Sequence, residues 1–409
     1  MKIDKAKTVF FLDKAAAWSL YAIIFTLPFS KSMVEISIVI GILSVVAKKI
    51  IVKERFVANT HIEILLYIFI MASLISIFNT QASQMGLSMK ALFSKVLKFA
   101  ALFLIAKDVI NTREKLKDFL IIASLSCVII VIDAFVQYYV THMDFLHNYP
   151  AFLYRPEVQS VRGVPTASFP FQNDFAAWIL VFIFPALCLA IFGKIGRRGT
   201  VFAVSAFIGL LYLLILTKVR GAWIAFVISF IILSVVKLKK AGWALLVVIV
   251  LLGLAYNGRN IMSRPSINDR SVMWNNGMTI FMRHPVIGNG LNTFYDNYMK
   301  VREDKHKNIR GSYAHNCYLQ MAADIGLAGL AAFLLFAIAV LASGFRALKA
   351  AGDPLCYSLI LGISLGLIAF LVHSSGDTNL YSLPLAALFW LSSGILLAVV
   401  KISGPRSGA

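Results

Sequence analysis

Acidic residues are scarce in this sequence: 19 Asp and Glu stand against 39 Lys and Arg, and charged residues make up only 14% of the 409. Soluble globular domains carry about 25% charged residues. With 59% hydrophobic residues and a mean hydropathy of +0.81, this composition excludes a soluble globular protein. The four cysteines lack paired metal-ligand spacing, so they indicate neither a disulfide framework nor a zinc site.

Several catalytic signatures are also missing. The sequence has no P-loop, GxSxG, HExxH or DxD pattern in a usable position, and the predicted outward loops hold few carboxylates. An ATP-driven reaction therefore has no support, and divalent-metal catalysis is disfavoured. We expect no metal and no cofactor.

What the sequence has in abundance is long apolar runs, each able to cross a hydrocarbon core of about 30 Å as a helix. They predict an all-α integral membrane protein forming a single polytopic domain, 1–409. About twelve spans are expected, at 15–30, 33–47, 62–79, 91–107, 119–140, 174–193, 200–217, 221–236, 241–256, 326–344, 355–373 and 381–400.

The positions of Lys and Arg predict the orientation. They cluster before span 1 and after spans 2, 4, 6, 8, 10 and 12, which places those loops and both termini in the cytoplasm. Span 1 follows a basic segment without a convincing cleavage site and is interpreted as a retained anchor. The net charge of +20 is then mostly a topological signal with attraction to anionic lipids, and nucleic acid is not an expected partner.

Two predicted outward loops are long, at 141–173 and 257–314. The second holds nine Lys and Arg against four Asp and Glu, which breaks the positive-inside pattern. An anionic ligand at the outer membrane surface explains this excess; a basic surface touching lipid headgroups is the alternative.

The larger loop has the pattern of an amphipathic helical hairpin resting on the outer leaflet. Its first helix would be capped by Asn268 or Asp269, present Trp274 and Met278 on one face, and end at His284-Pro285. A glycine turn and a second short helix would follow. Arg270 would then lie in the first turn, where a cation opposes the helix dipole.

Arg220 and Arg162 are two further candidate cations. Arg220 lies at the outer boundary between spans 7 and 8, and Arg162 precedes span 6 in the other long loop. The alternative for such residues is a side chain that only reaches the interface from a span end. Asn173 or Asp174 is expected to cap span 6.

His315 begins a helical pattern that runs into span 10. In the first turn the helix dipole would keep its imidazole neutral and able to accept a proton, and free backbone N–H groups there could bind a phosphate oxygen. The alternative is an interfacial histidine bonded to a neighbouring loop. Asn316 beside it, and His373 and Asp377 in the last outward loop, are possible supporting residues, although the latter two could only hold the loop.

One carboxylate is predicted to be buried in the membrane. Asp133 lies within span 5, and Lys98 in span 4 is its expected partner from depth.

Four segments, TKVRGAW, DRSVMWNNGMTIFMRHPVIGNGLNTF, AHNCYLQMAADIGLAGL and HSSGDTNLYSLPLAALFW, resemble in order and spacing the bacterial O-antigen ligase and O-antigen polymerase superfamily. The resemblance extends over about residues 160–395. It implies a GT-C-type glycosyltransferase of the bacterial inner membrane, with a periplasmic active site and no metal or nucleotide sugar. The implied donor is an undecaprenyl-diphosphate-linked glycan, and the acceptor for a ligase is the lipid A-core oligosaccharide.

The resemblance also implies roles for individual residues. His315 matches the essential histidine, the base for the acceptor hydroxyl. Arg220 and Arg270 match the diphosphate-binding arginines, and Arg162 matches only the general form of its segment. The implied reaction is a direct displacement with inversion at the anomeric carbon, without a covalent intermediate.

Three alternatives to the ligase stay open. A polymerase uses the same donor with a growing glycan as acceptor; the compact chain without an appended soluble domain favours the ligase. A protein-glycosylating relative is the second. A flippase or transporter is the third, and it predicts broken spans and charges near mid-membrane. Oligomeric state, sugar identity and donor entry route are not predicted.

Overall fold

The computed structural model describes residues 5–54, 60–148, 150–151, 163–257, 266–303 and 313–404. The regular structure in these ranges is helical. The helices are α1 (Lys5–Thr26), α2 (Lys31–Val52), α3 (His61–Ile77), α4 (Met85–Ala91), α5 (Lys98–Val109), α6 (Arg113–Val136), α7 (Gln172–Phe192), α8 (Gly196–Thr217), α9 (Arg220–Leu233), α10 (Lys239–Asn257), α11 (Ser266–Arg283), α12 (Phe294–Val301), α13 (Cys317–Ala347), α14 (Pro354–His373) and α15 (Leu383–Ser403). Short π-helical segments, Leu92–Leu97, Gln137–Thr141 and Ser234–Leu238, continue α4, α6 and α9.

Every predicted span coincides with a helix, but the count of twelve is not confirmed. In the described ranges, eight helical runs are long and apolar enough to cross a membrane: α1, α6 with its π segment, α7, α8, the run Arg220–Leu251, α13, α14 and α15. The run Arg220–Leu251 covers most of predicted spans 8 and 9. Predicted spans 2 to 4 fall outside the eight; α3, for example, has only 17 residues. The all-α membrane class stands.

Helices α14 and α15 form the centre of the bundle, with 72% and 83% of their apolar windows buried. Glycines let α14 approach α7 closely. A Cβ at Gly362 would lie 2.6 Å from Pro185 Cα, and one at Gly366 would lie 2.8 Å from Val181 O. Small residues permit such close backbone contact between membrane helices. This packing brings the C-terminal end of α14 beside the N-terminal end of α7.

Helix α13 is broken at Gly326, whose φ is 71° and ψ is −179°. The break frees backbone groups at residues 323–328, and residues 285–290 fill it with backbone hydrogen bonds of 2.8–3.2 Å. The turn between α11 and α12 is therefore inserted into the broken helix. Buried backbone groups need partners, so this insertion accounts for the glycines of both HPVIGNG (284–290) and IGLAGL (325–330).

Replacing Gly326 by Ala is expected to destabilise the fold. Its φ and ψ lie in a region essentially restricted to glycine, which alone costs about 1–3 kcal/mol for another residue. A Cβ there would also lie 2.1 Å from Val286 O. The thermal midpoint of the purified protein in detergent measures the effect. Gly352→Ala is the control, because nothing lies within 4 Å of a Cβ at Gly352; equal midpoints for the two variants would contradict the expectation.

The first helix of the hairpin formed by α11 and α12 ends where the sequence predicted, before His284-Pro285, but it begins earlier than predicted. Helix α11 begins at Ser266, so Arg270 lies in the second turn and not in the first. The argument from the helix dipole was wrong there, because the helix starts before the predicted caps. Met273 and Ile280 are buried between α11, α12 and α13, whereas Trp274 and Met278 are 39% and 46% exposed. Contact of that exposed apolar face with lipid stays a prediction.

The predicted partner of Asp133 was wrong. Lys98 pairs with Glu35 at 2.6 Å. Asp133 instead accepts hydrogen bonds from the Phe145 N–H at 2.9 Å and the Ser168 hydroxyl at 2.8 Å. Both donors belong to the connection between α6 and α7, so this carboxylate anchors that connection to the bundle.

Candidate functional site

Ends of helices that are distant in sequence meet around one small polar cavity of about 80 Å³. The contributing elements are the start of α7, the turn between α8 and α9, α11, the end of α14 and the α14–α15 connection. The lining residues are Gln172, Asn173, Lys218, Val219, Arg220, Gly221, Arg270, His373, Gly376 and Asp377. Four of the candidates from the sequence, Arg220, Arg270, His373 and Asp377, therefore line the same cavity.

Asp377 connects this cavity to His315. One carboxylate oxygen, Oδ1, lies 3.5 Å from His315 Nδ1 and accepts a hydrogen bond of 2.8 Å from the Thr378 N–H. The other, Oδ2, lies 3.8 Å from Arg270 Nη2 and accepts a hydrogen bond from the Asn173 amide. A single carboxylate thus lies beside both the predicted base and one predicted phosphate-binding arginine, one at each of its oxygens.

The Asp377 carboxylate is buried, and burial by itself raises its pKa. The His315 and His373 side chains and the Thr378 N–H oppose this effect and bring the pKa down to about 2. The carboxylate is consequently charged over the whole physiological range. A permanent negative charge at this position can stabilise a positive charge that develops on His315.

The sequence predicted His315 in the first turn of α13, but the residue lies before that helix. It precedes the N-cap residue Asn316 and has a left-handed backbone conformation with φ of 48°. Such a φ is uncommon for a non-glycine residue, and strained backbone of this kind clusters at functional sites. The side chain is 37% exposed, whereas that of Asp377 is 6% exposed. The imidazole is therefore partly exposed to solvent, while its Nδ1 faces a buried carboxylate.

The backbone N–H groups at the start of α13 are occupied, which contradicts the predicted phosphate site there. The Asn316 side chain accepts from the Tyr318 and Leu319 N–H groups at 3.0 and 3.1 Å. The Cys317 N–H donates to Ser374 O at 2.9 Å. Asn316 is thus an N-cap, and the Ser374 carbonyl ties α13 to the end of α14.

Lys218 is a cation of the cavity that the sequence analysis did not single out. It ends α8 in the left-handed conformation with φ of 55°, and α9 begins two residues later at Arg220. Lys218, Arg220 and Arg270 set three positive charges against the single carboxylate of Asp377. The signal was present in the sequence, because Lys218 stands two residues before Arg220. The net positive lining suits an anionic ligand.

A Lys218→Gly substitution is expected to separate stability from ligand binding. Glycine relieves the left-handed backbone strain, so the free energy of unfolding should stay equal or increase by up to about 1 kcal/mol. The thermal midpoint should accordingly stay equal or rise. Loss of the cation should raise the KM for an anionic donor. Lys53→Gly is a matched control, since Lys53 also ends a helix with φ of 60° but lies away from this cavity. The same KM in both variants would argue against a role for Lys218.

The expected caps of α7 are not found, and the predicted position of Arg162 is not described by the structure. Asn173 and Asp174 do not cap α7, because the helix starts at Gln172 after Phe171 and has no side-chain cap; Asn173 instead contacts Asp377. Arg162 lies outside the described residues, so its position stays a prediction. The segment that follows it is fixed to the π-helical continuation of α6, where the side-chain oxygen Oε1 of Gln137 accepts hydrogen bonds from the Thr166 and Ala167 N–H groups, both at 2.8 Å.

The described part of the chain contains no group of three or more His, Cys, Asp or Glu side chains arranged to hold a metal ion. The cavity lining combines cationic and amide groups with one carboxylate and one imidazole, that of His373, and His315 adjoins it through Asp377. This set is suited to holding an anion by charge-assisted hydrogen bonds.

Comparison with known protein families gives one match. Residues 205–334 match the model of a family described as O-antigen ligase. The matched segment extends from α8 into α13 and includes Arg220, Arg270 and His315, whereas His373 and Asp377 lie beyond it. A search of curated proteins finds no match. The match confirms the resemblance seen in the sequence, and the apolar helices agree with a multi-pass membrane protein. Residues 205–334 of this chain therefore match the O-antigen ligase family, and this match supports the resemblance to the O-antigen ligase superfamily.

Proposed function

We propose that this protein is a glycosyltransferase that moves a glycan from a lipid diphosphate, undecaprenyl diphosphate, to a lipid A-core oligosaccharide. The observation that carries the proposal is the contact of Asp377 with both His315 and Arg270 at the edge of a cation-lined cavity. A base for the acceptor and a binding site for an anionic leaving group are the two requirements of such a transfer.

The leaving group would be bound by Lys218, Arg220 and Arg270. A diphosphate that departs from an anomeric carbon gains negative charge in the transition state, and cations already in place stabilise that charge without reorganising. Arginine is especially suited because its guanidinium group donates two parallel hydrogen bonds to phosphate oxygens. No metal is needed in this scheme, since the charge is balanced by side chains.

The base would be Nε2 of His315. Nδ1 faces the Asp377 carboxylate, which can only accept, so the neutral ring keeps its proton on Nδ1 and a lone pair on Nε2. The Nδ1–Oδ1 distance of 3.5 Å is long for a hydrogen bond, as is common before substrate binds. When Nε2 takes the proton, the fixed charge of Asp377 stabilises the resulting imidazolium ion.

The reaction follows as a single displacement. The acceptor hydroxyl loses its proton to His315, its oxygen forms the new bond to the anomeric carbon, and the bond from that carbon to the diphosphate oxygen breaks. The configuration at the anomeric carbon inverts, and undecaprenyl diphosphate leaves. Retention of configuration, or a trapped sugar-enzyme intermediate, would contradict this scheme.

The orientation proposed from the Lys and Arg pattern sets the cavity at the periplasmic face of the inner membrane, with both termini in the cytoplasm. The exposed apolar side chains of α11 would then meet the outer leaflet, where the lipid tail of the donor lies. Membrane lipids are therefore neighbours of the site as well as carriers of the substrate.

Two other functions make different demands on the structure. A polymerase would use the same cavity with another glycan as acceptor, and the family match is compatible with both activities. A transporter would use a broken helix to line a substrate path. The break in α13 at Gly326 is occupied by the backbone of residues 285–290, so it is a packing feature.

The test uses purified protein with a lipid-diphosphate-linked glycan and lipid A core in the presence of a chelator. Wild type and His315→Ala are compared. Glycan joined to lipid A core by wild type alone supports the ligase. A glycan lengthened on its own carrier indicates the polymerase, and absence of transfer to either acceptor contradicts the proposed chemistry.

A further inference from the structure

His373 carries a polar atom that the site described above does not use. It is the last residue of α14, it is 3% exposed, and it lines the cation-lined cavity. Its Nε2 is buried and has no hydrogen-bond partner in the described part of the chain. The side-chain amide oxygen of Gln172, which also lines this cavity, is likewise buried without a hydrogen-bond partner in the described part of the chain. A buried polar atom without a partner costs about 1–3 kcal/mol, so both atoms require a partner in this cavity, such as a water molecule or a bound ligand.

A short chain of hydrogen bonds favours one tautomer of the His373 ring. The Ser374 hydroxyl donates to Phe370 O at 2.8 Å, so its oxygen is left to accept. The Asn379 amide nitrogen donates to that oxygen at 3.2 Å and lies 3.3 Å from His373 Nδ1. With the NH₂ end of the amide held at this position, Nδ1 accepts its second hydrogen. The remaining nitrogen, Nε2, then carries the ring proton and is a donor.

The surroundings of His373 specify what this donor can bind. Lys218, Arg220 and Arg270 line the same cavity and favour an anion. The cavity is small, about 80 Å³, and can accommodate one phosphate group. The cations attract the anion by charge, whereas a neutral imidazole N–H on a rigid helix fixes the orientation of the hydrogen bond to it.

We propose that the Nε2–H of His373 donates a hydrogen bond to an oxygen of one phosphate group of the lipid-diphosphate donor. The proposal rests on the proposed function for the identity of the donor. His373 is in this scheme a binding residue for the leaving group and is distinct from the base His315. The Gln172 amide, which can turn to present its NH₂ group, would be a second neutral contact to the same phosphate.

Substitutions separate a binding role from a structural one. His373→Gln keeps an N–H near the position of Nε2, whereas His373→Leu keeps the volume and loses the donor. A hydrogen bond to a charged group is worth about a 10- to 100-fold change in binding. We expect the KM for the donor to rise by that factor in His373→Leu and to stay within about threefold in His373→Gln. Equal KM values for wild type and His373→Leu in a folded protein overturn the proposal.

Nuclear magnetic resonance gives a readout that does not depend on transfer activity. In protein labelled with ¹⁵N-histidine, the His373 ring should show a protonated Nε2 and an unprotonated Nδ1, assigned by its loss in His373→Gln. Adding inorganic diphosphate should shift the Nε2 resonance in wild type, and less so in Arg270→Gln. A proton on Nδ1, or an Nε2 resonance that does not respond to diphosphate, overturns the proposal.

The two proposals fail in distinguishable ways. If wild type transfers no glycan but diphosphate shifts the His373 resonance, the cavity binds phosphate and the proposed transfer is wrong. If wild type transfers glycan and His373→Leu leaves the donor KM and the diphosphate response unchanged, the transfer stands and the role of His373 is wrong.

Discussion

A His315→Gln variant is expected to lose about 10²–10⁴-fold in kcat for glycan transfer, the usual contribution of a positioned general base. Glutamine keeps hydrogen-bonding capacity beside Asp377 but cannot accept the proton of the acceptor hydroxyl. The donor KM should change little, because the cations of the cavity remain. The measurement is steady-state kinetics with donor and acceptor varied separately, on protein whose thermal midpoint matches that of wild type.

His284→Gln is the matched control for this experiment. His284 lies in the turn after α11, is exposed, and is not among the residues that line the cavity. Its replacement should leave kcat within about twofold of wild type, since surface substitutions away from special features have small effects. A His315→Gln variant with wild-type kcat would remove the base from the proposed reaction.

The second large effect is expected at Asp377. Asp377→Asn removes the only negative charge that lines the cavity in the described ranges and the acceptor that holds the proton on His315 Nδ1. An amide can donate to Nδ1 instead, which would shift the ring proton to Nε2 and block the base. We expect kcat to fall about 10²-fold or more, because the wrong tautomer of a base is inactive.

The pH dependence of the Asp377→Asn variant gives an independent check. A pKa lowered from 3.8 to about 2 stabilises the folded protein by about 2 kcal/mol above pH 4, and this contribution is lost as the pH falls toward 2. The difference in stability between wild type and Asp377→Asn should therefore shrink as the pH falls from 4 toward 2. A difference that grows toward low pH would show that Asp377 is not held as a carboxylate.

The sequence predicted the helical hairpin well because its signals are local. A Pro after His284 ends α11, glycines make the turn, and apolar spacing starts α12. Predictions that needed the exact start of a helix were wrong at Arg270, His315 and Asn173. Helix starts depend on which residue finds a capping partner, and at α13 that partner includes the Ser374 carbonyl, far away along the chain.

Composition and hydropathy alone predicted an all-α membrane protein, and four motifs predicted the superfamily resemblance that the family match over residues 205–334 supports. The roles of individual residues in the cavity depend on tertiary structure. Asp377 meets His315 and Arg270 because the close packing of α14 on α7 brings the α14–α15 connection to the ends of α7, α11 and α13. Hydropathy carries no information about which helix ends adjoin, since every apolar face satisfies lipid equally well. Only the packing of small residues between particular helices decides this, and with it the pairing of a base, a carboxylate and the cations.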